Sequence, residues 1–406
     1  MDAATVERHI TALERSCAQV ESSQDLFVEV STRLRQILPF DSAGWFATDP
    51  ATVLGTLPLR VENIETAHCA SYWERECRVE DVLLFRDVAR SRTGVGTLYR
   101  ATDDQPARSA RWREFLDPQG LGDELRAAFR TGGATWGVVD LLRDRGRPSF
   151  TATDIRIMSV VAPAVAAALR GFAIHERPRQ PAYQPSHQAD PGQHSAPGQH
   201  SAPGQRPAPG HDVGRSIASG PGTALYDDAG NLLSLDEQAE LLFAELAGAA
   251  WHARPVMMTP VQAVLARAAA VAAGRERGPA SSRLRAASGR WLALHASCLR
   301  GPDGRPGPTA LTIEPAKSSQ IAPIIVEAYR LTAREQEITR AIARGLSNPE
   351  IAAELFLSPH TVRDHLKTIF AKVGVGSRGE LIAKLFAEHY GPVLQAPNAP
   401  VTHVEY

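Results

Sequence analysis

Lysine is nearly absent from this chain of 406 residues: there are four, at 317, 367, 372 and 384. The first 316 residues contain none. A Walker A loop sets a Lys on the nucleotide phosphates, and Schiff-base enzymes need a Lys amine. Neither chemistry is available there. Phospho-receiver domains resemble one another in using a Lys beside an acidic pocket, so an aspartyl-phosphate input is excluded on the same ground. Cysteine is equally sparse. Cys17, Cys69, Cys77 and Cys298 show no CxxC spacing and are too few for a disulfide scaffold, which fits a reducing cytosol. No apolar run reaches the length of a membrane span, and Met1–Thr5 opens no signal-peptide pattern. Excess charge is missing too. Lys and Arg number 44 against 45 Asp and Glu, so nucleic-acid binding must come from a local patch. No Ser-His-Asp, HExxH, GxSxG or paired-carboxylate constellation stands out. His68, Cys69 and Cys77 match no common metal spacing. No enzyme, no cofactor and no metal site is expected.

Apolar residues make up 43%, enough for real cores, and the length calls for two to four domains. Residues 5–37 read as helix from Val6, Ile10, Leu13 and Cys17 through Leu34 and Ile37. Strands are expected at 42–48, 56–61 and 96–100, and helices at 65–77 and 81–90. A hairpin turns at Thr131-Gly132-Gly133 between 125–130 and 135–143, and a helix runs from Thr153 to Arg170. This stretch is α+β and holds 14 of the 25 aromatics. Trp45, Tyr72, Trp73, Phe85, Tyr99, Trp112 and Trp136 are candidates to line a pocket, though core packing is the commoner use of such residues.

Residues 175–212 lack Val, Ile, Leu, Met, Phe and Trp and repeat a Pro-Gly-Gln six-residue unit. Such a segment cannot bury enough surface to offset its ordering entropy and reads as a disordered linker. Its His187, His194, His200 and His211 read as part of a polar spacer rather than as metal ligands. Residues 216–315 form a second α+β unit. Strands are expected at 224–226, 232–235, 290–296 and 309–314, with helices at 236–246 and 261–273.

The last stretch is the most informative. Thr332…Glu335, Ser347…Glu350 and Ser377…Glu380 are capping boxes, and Ser358-Pro359 starts another helix. They predict four short helices at 332–344, 348–355, 359–373 and 378–388. On the third, Val362, Leu366, Ile369, Phe370 and Val373 share one side at 100° per residue. His360, Arg363, Asp364, Lys367 and Ala371 share the other. Two short helices with a tight turn, the second bearing an exposed polar face, make a helix-turn-helix. Arg363 can pair with guanine O6 and N7, Lys367 can reach guanine or phosphate, and Asp364, which cannot pair with phosphate, can accept from cytosine N4. Helix N-termini at Ser347-Asn348 and Ser358 can hold phosphates. His365, at the edge of the apolar side, reads as packing. From 331 to 388 there are eight Lys and Arg against seven Asp and Glu, so a single copy should bind weakly and a dimer on two half-sites is the physical route to affinity.

The segments Leu331–Ile338, Gly345–Ala352, Leu357–His365 and Lys372–Val375 resemble the LuxR-type DNA-binding domain over about 60 residues, some 15% of the chain. The resemblance implies a four-helix domain, 325–390, whose third helix enters the major groove and whose fourth makes dimer contacts through Leu381, Ile382 and Leu385. It places Arg363, Asp364 and Lys367 at base-reading positions, and His360, Thr361, His365 and Lys372 near the phosphates or in support of the fold. The order of elements in 25–172 is similar to a GAF-type sensor, and 216–315 resembles a PAS-like fold. Residues 1–24 then form an N-terminal helix and 391–406 a flexible tail. What is expected is a multidomain, cytoplasmic, homodimeric transcription regulator. Two α+β sensor-like domains precede an all-α helix-turn-helix. Its partners would be double-stranded DNA and a small-molecule ligand in one of the sensor domains, with no membrane. A scaffold whose C-terminal module binds a protein stays open as the alternative.

Overall fold

A computed structural model describes residues 2–64, 69–175, 220–253, 258–286 and 288–384. The predicted linker beyond residue 175, His68 and the tail lie outside them.

Two helices open the chain, α1 (Ala3–Gln19) and α2 (Ser23–Ile37). The single helix expected over 5–37 is broken because Ser22 takes extended backbone and its hydroxyl accepts from the Asp25 N–H, starting a new helix. Strands β1 (Ser42–Thr48) and β2 (Gly55–Glu62) follow, then α3 (Cys69–Arg78), α4 (Phe85–Arg90) and β3 (Val95–Thr97). The strand expected to reach residue 100 stops at Thr97, where the short helix α5 (Leu98–Ala101) begins. A π-turn at Trp112–Leu116 leads to β4 (Leu121–Thr131) and β5 (Ala134–Asp144), and α6 (Ala152–His175) closes the unit. The sheet is antiparallel in the order β2-β1-β5-β4-β3.

Alternation along the strands splits this sheet into two chemically different faces. Trp45, Leu125, Ala127, Phe129, Val139 and Leu141 join Leu26, Phe27, Leu34, Met158, Val161 and Val165 in one apolar core with α1, α2 and α6. α6 is long and apolar enough to cross a bilayer, but here its buried side packs on that core. The opposite face carries Glu124, Arg126 and Asp140 beneath α3 and α4, and all three are buried.

The second sheet repeats this strand order: β7-β6-β10-β9-β8. Its strands are β6 (Gly222–Tyr226), β7 (Leu232–Leu235), β8 (Ser281–Arg285), β9 (Trp291–Arg300) and β10 (Pro306–Pro315). Helices α7 (Glu237–Ala247) and α8 (Thr259–Ala272) cover it. β8 escapes the sequence reading because Leu284 is its one apolar residue.

The two units are locked together. Asp49, fully buried in the turn after β1, receives Arg283 of β8 in a two-pronged pair. Its Oδ2 accepts from Nε at 2.8 Å and its Oδ1 from Nη2 at 2.7 Å. The Arg283 backbone N–H also donates to Oδ2 at 2.8 Å. The remaining guanidinium nitrogen, Nη1, donates to the Gln320 carbonyl at 3.0 Å in α9 (Ser318–Ala328). Glu276 adds a second tie, to Arg86 of α4 and to Arg267 of α8.

Helix α9 joins the first two units to the four helical elements described after it. Ile321, Ile324, Ile325 and Ala328 are buried in the same core as α6, and Tyr329 and Leu331 continue that core into the C-terminal helices. Glu327 clamps the joint. Its Oε1 accepts from the Gly133 N–H at the β4–β5 turn, and its Oε2 from Gln336.

Replacing Arg283 with Met leaves Asp49 buried without its cation, an imbalance that typically costs about 3–5 kcal/mol. Calorimetric unfolding of this variant is expected to split into two transitions as the second unit detaches. One transition at the unaltered midpoint would show that the pair does not hold the units together.

Candidate nucleic-acid interface

The C-terminal helices form because each start is capped. For α10 (Ala333–Ala343), Thr332 Oγ1 accepts from the Glu335 N–H at 3.3 Å while Glu335 Oε2 accepts from the Thr332 N–H at 2.7 Å. For α11 (Asn348–Glu354), Glu350 Oε2 accepts from both the N–H and the hydroxyl of Ser347 at 2.6 Å. For α12 (Pro359–Val373), Ser358 Oγ accepts from the Thr361 N–H at 3.0 Å. Gly374, at φ 70°, ends α12 in the left-handed conformation that a Cβ disfavours. Residues 378–384 are helical again. Ser377 Oγ caps this helix at the Glu380 N–H, but Glu380 reaches back one residue further, to the N–H of Gly376.

The inner side of α12 is Val362, Leu366, Ile369 and Val373, all buried against Ile338, Ile342, Ile351 and Ala352. Its outer side carries Arg363, Asp364 and Lys367, all exposed, with His360 at the same helix's first turn. Asp364 sits between its neighbours, 3.0 Å from His360 Nδ1 and 3.9 Å from Lys367 Nζ. Exposed contacts of this kind contribute only about 0–1 kcal/mol, so His360 and Lys367 can exchange Asp364 for another partner at little cost. Arg363 has no partner among the described residues, and its guanidinium is open for a two-pronged contact.

The supporting positions divide by role. Thr361 shares a 2.8 Å hydrogen bond with the Ser358 hydroxyl, and the Ser347 hydroxyl is held by Glu350. Asn348 and His365 are half-buried. Lys372 is turned inward, donating to Glu335 Oε2 at 2.6 Å and to the Arg330 carbonyl at 3.2 Å, and so ties α12 to α10. Leu381 is fully buried in the domain's own core, Ile382 is half-buried, and Leu385 lies outside the described residues. Three residues not singled out from the sequence brace the domain. Arg378 donates to the Leu346 carbonyl, Arg334 to that of Leu355, and Lys384 to that of Val373. The carbonyls of Leu355 and Val373 stand at the C-terminal ends of α11 and α12, and that of Leu346 in the turn before α11, pairings visible only in three dimensions.

Residues 329–385 match the family model described as "Bacterial regulatory proteins, luxR family". The same region is 46% identical over 52 residues to the putative HTH-type transcriptional regulator Mb0914c of Mycobacterium bovis, spanning 13% of this chain and 6% of that protein. It is 47% identical over 62 residues to the uncharacterized transcriptional regulatory protein YhcZ of Bacillus subtilis, spanning 15% of this chain and 28% of that protein. The chain thus spans well under a third of either relative. The solved structure of Escherichia coli SdiA aligns with 96% of this chain and 99% of its own at 12% identity, with a TM-score of 0.32, too loose to bear on fold or function. The C-terminal segment is a LuxR-type helix-turn-helix domain.

Burial alone would raise the pKa of Glu335, but the Lys372 ammonium and the Thr332 N–H outweigh it and hold the carboxyl below its usual range. A lowered folded-state pKa stabilises above the unfolded-state value and the gain is lost as pH falls through the folded-state one. The domain should therefore lose stability below about pH 4.5, near the ordinary Glu value. In Glu335→Gln, acid titration of helical circular dichroism should show a shallower loss. An unchanged acid limb would remove the Lys372–Glu335 tie from the account.

Proposed function

We propose that this chain is a cytoplasmic, homodimeric, sequence-specific transcription regulator. In this reading 325–390 is the DNA-binding output, 25–172 a GAF-like sensor and 216–315 a PAS-like sensor. The observation that carries it is the α12 face. Arg363, Asp364 and Lys367 are exposed together on a helix whose opposite side is wholly committed to the core, within a segment that matches the LuxR family. Arg363, Asp364 and Lys367 are the base-reading residues of this proposal. His360, Thr361, Ser358, Ser347 and Asn348 lie toward the phosphates, and His365 and Lys372 support the helix. The exposed part of the 378–384 helix, with Leu385 beyond it, is the candidate dimer face. The sensor reading is supported by the element order of each unit, with helices inserted between the outer and the central strands, and by the identical strand order of the two sheets.

Signal transfer follows from the joint at α9. This helix is fixed to the first unit through α6, to the second through Arg283, and to the output through Glu327 and the shared core. A shift between the units is therefore transmitted to α10 without a slack linker. The regulated quantity is the relative placement of two output domains in a dimer.

The test is selection from random-sequence duplex DNA by the full chain, beside Arg363→Ala and Lys367→Ala. A motif with two half-sites is expected. Arg363→Ala should cost about 1–3 kcal/mol and relax one base position, while Lys367→Ala should weaken binding evenly and flatten the salt slope by about one. If no motif is enriched and binding to acidic proteins survives instead, the C-terminal module is a protein-docking one and the proposal is wrong.

A further inference from the structure

Between α11 and α12 the backbone turns through Phe356, which stands at φ 55° in the left-handed region. The turn is a helix stop. The Leu357 N–H donates to the Ala352 carbonyl at 2.8 Å, and Arg334 donates to the Leu355 carbonyl at 2.7 Å. Glycine is the usual residue at such a stop, because a Cβ is disfavoured there and a bulky side chain is an outlier. Phe356 gains no packing in return. It is 95% exposed, more than any other large apolar residue among those described.

The neighbouring residues fix where the ring stands. Leu357 packs against the apolar core, while Ser358, exposed like Phe356, caps α12 at the Thr361 N–H. Ser358 is two residues on, at most about 7 Å of chain. The ring therefore stands at the N-terminal end of α12, the end that carries His360, Arg363 and Asp364 on its exposed side. Because the turn is tied before and after Phe356, the ring is presented there at little cost in backbone ordering.

We propose that Phe356 is a further base-reading residue, and that its ring packs on the 5-methyl group of a thymine beside the bases read by Arg363. The proposal rests on the reading of α12 as a helix that enters the major groove. Along the base edges of that groove the apolar group on offer is the thymine methyl, and an aromatic side chain is one of its partners. A phosphate or a polar base edge gains nothing from such a ring. The contact adds specificity without adding charge, in a domain whose eight Lys and Arg face seven Asp and Glu between 331 and 388.

The test uses the full chain and the duplex it selects from random sequence. Each thymine of a half-site is replaced in turn by uracil, which removes the 5-methyl group alone. Binding is measured for the parent, Phe356→Asn and Phe356→Tyr. Asn accepts the left-handed turn, so the thermal midpoint of Phe356→Asn should not fall. The parent should lose about four-fold in affinity at one thymine per half-site, the worth of one buried methyl group. Phe356→Asn should bind the thymine duplex at least that much more weakly and be indifferent to the uracil there. Phe356→Tyr should keep the parent's pattern. The salt slope should be the same for parent and Phe356→Asn, since no phosphate contact is removed. Undiminished DNA binding by Phe356→Asn overturns the inference and leaves the ring to a protein partner. A loss that is coupled to no thymine methyl, or that flattens the salt slope, also overturns it. A selected motif without that coupling refutes this contact alone, whereas a parent that selects no motif refutes the regulator reading and the contact with it.

Discussion

The arrangement of the whole chain depends on one buried carboxylate. Asp49 meets Arg283 across 234 residues of sequence. It also accepts from the backbone of Ala51 and Thr52, so it is fixed in its own turn before the cation arrives. Arg283 in turn is held by its strand and spends its last donors on α9. A largely buried ion pair is often no more stable than an apolar pair of the same shape, because removing charges from water is costly. What it supplies here is geometry. A two-pronged guanidinium–carboxylate contact accepts a narrow range of orientations, which a greasy interface between two sheets would not. The first unit, the second unit and the helix leading to the output are brought to one register at a single side chain.

The same logic runs through the interior of the first unit in a less settled form. A sheet face that would ordinarily be apolar carries Glu124, Arg126 and Asp140, with Glu76 and Arg111 brought over it by α3 and the π-turn. Arg126 lies 4.3 Å above the centre of the Phe85 ring and hydrogen-bonds the Tyr72 hydroxyl at 3.1 Å, so each of its faces and edges is used. Such a network is costly wherever a member is left short of partners. Here burial first and the Glu124 carboxylate second raise the Asp140 pKa well above the usual range, so Asp140 is the member that holds a proton and shares it with Glu124.

How much of this was legible depended on whether the determining signal is local. Capping boxes are, and α12 begins and ends at the residues its Ser-Pro start and Gly374 indicate. Alternation is local as well, so β1 and the β4–β5 hairpin were readable from 42–48 and 125–143. The break after α1 was also written locally, as Ser22 three residues before Asp25, but the continuous apolar spacing on either side concealed it. β8 was not legible because a polar strand is stabilised by its neighbours rather than by its own pattern. Of the aromatic pocket candidates, Tyr72 and Trp73 line a cavity beneath α3 and Trp136 lines another beside α6 and β8, while Trp45 lies in the core on the other face from Tyr72 and Trp73. The face follows from register, which sequence alternation leaves open by one residue. The buried charge cluster was beyond reach, since its five members come from α3, the turn before β4, β4 and β5.

The exposure of the α12 face has a consequence for regulation. Arg363 and Lys367 are open to solvent while α9 is seated on α6 and held by Arg283. Among the described residues of one chain, then, the first two units leave the outer face of α12 uncovered. What the docking does constrain is orientation, because Glu327 and the continuous apolar core leave α10 little freedom relative to the first sheet. In the proposed regulator, a domain whose own charge is nearly balanced gains its affinity when two copies reach two half-sites together. A fixed orientation decides whether they can. In the proposed reading, a shift between the two units acts on that fit through Arg283 and α9, without approaching the DNA.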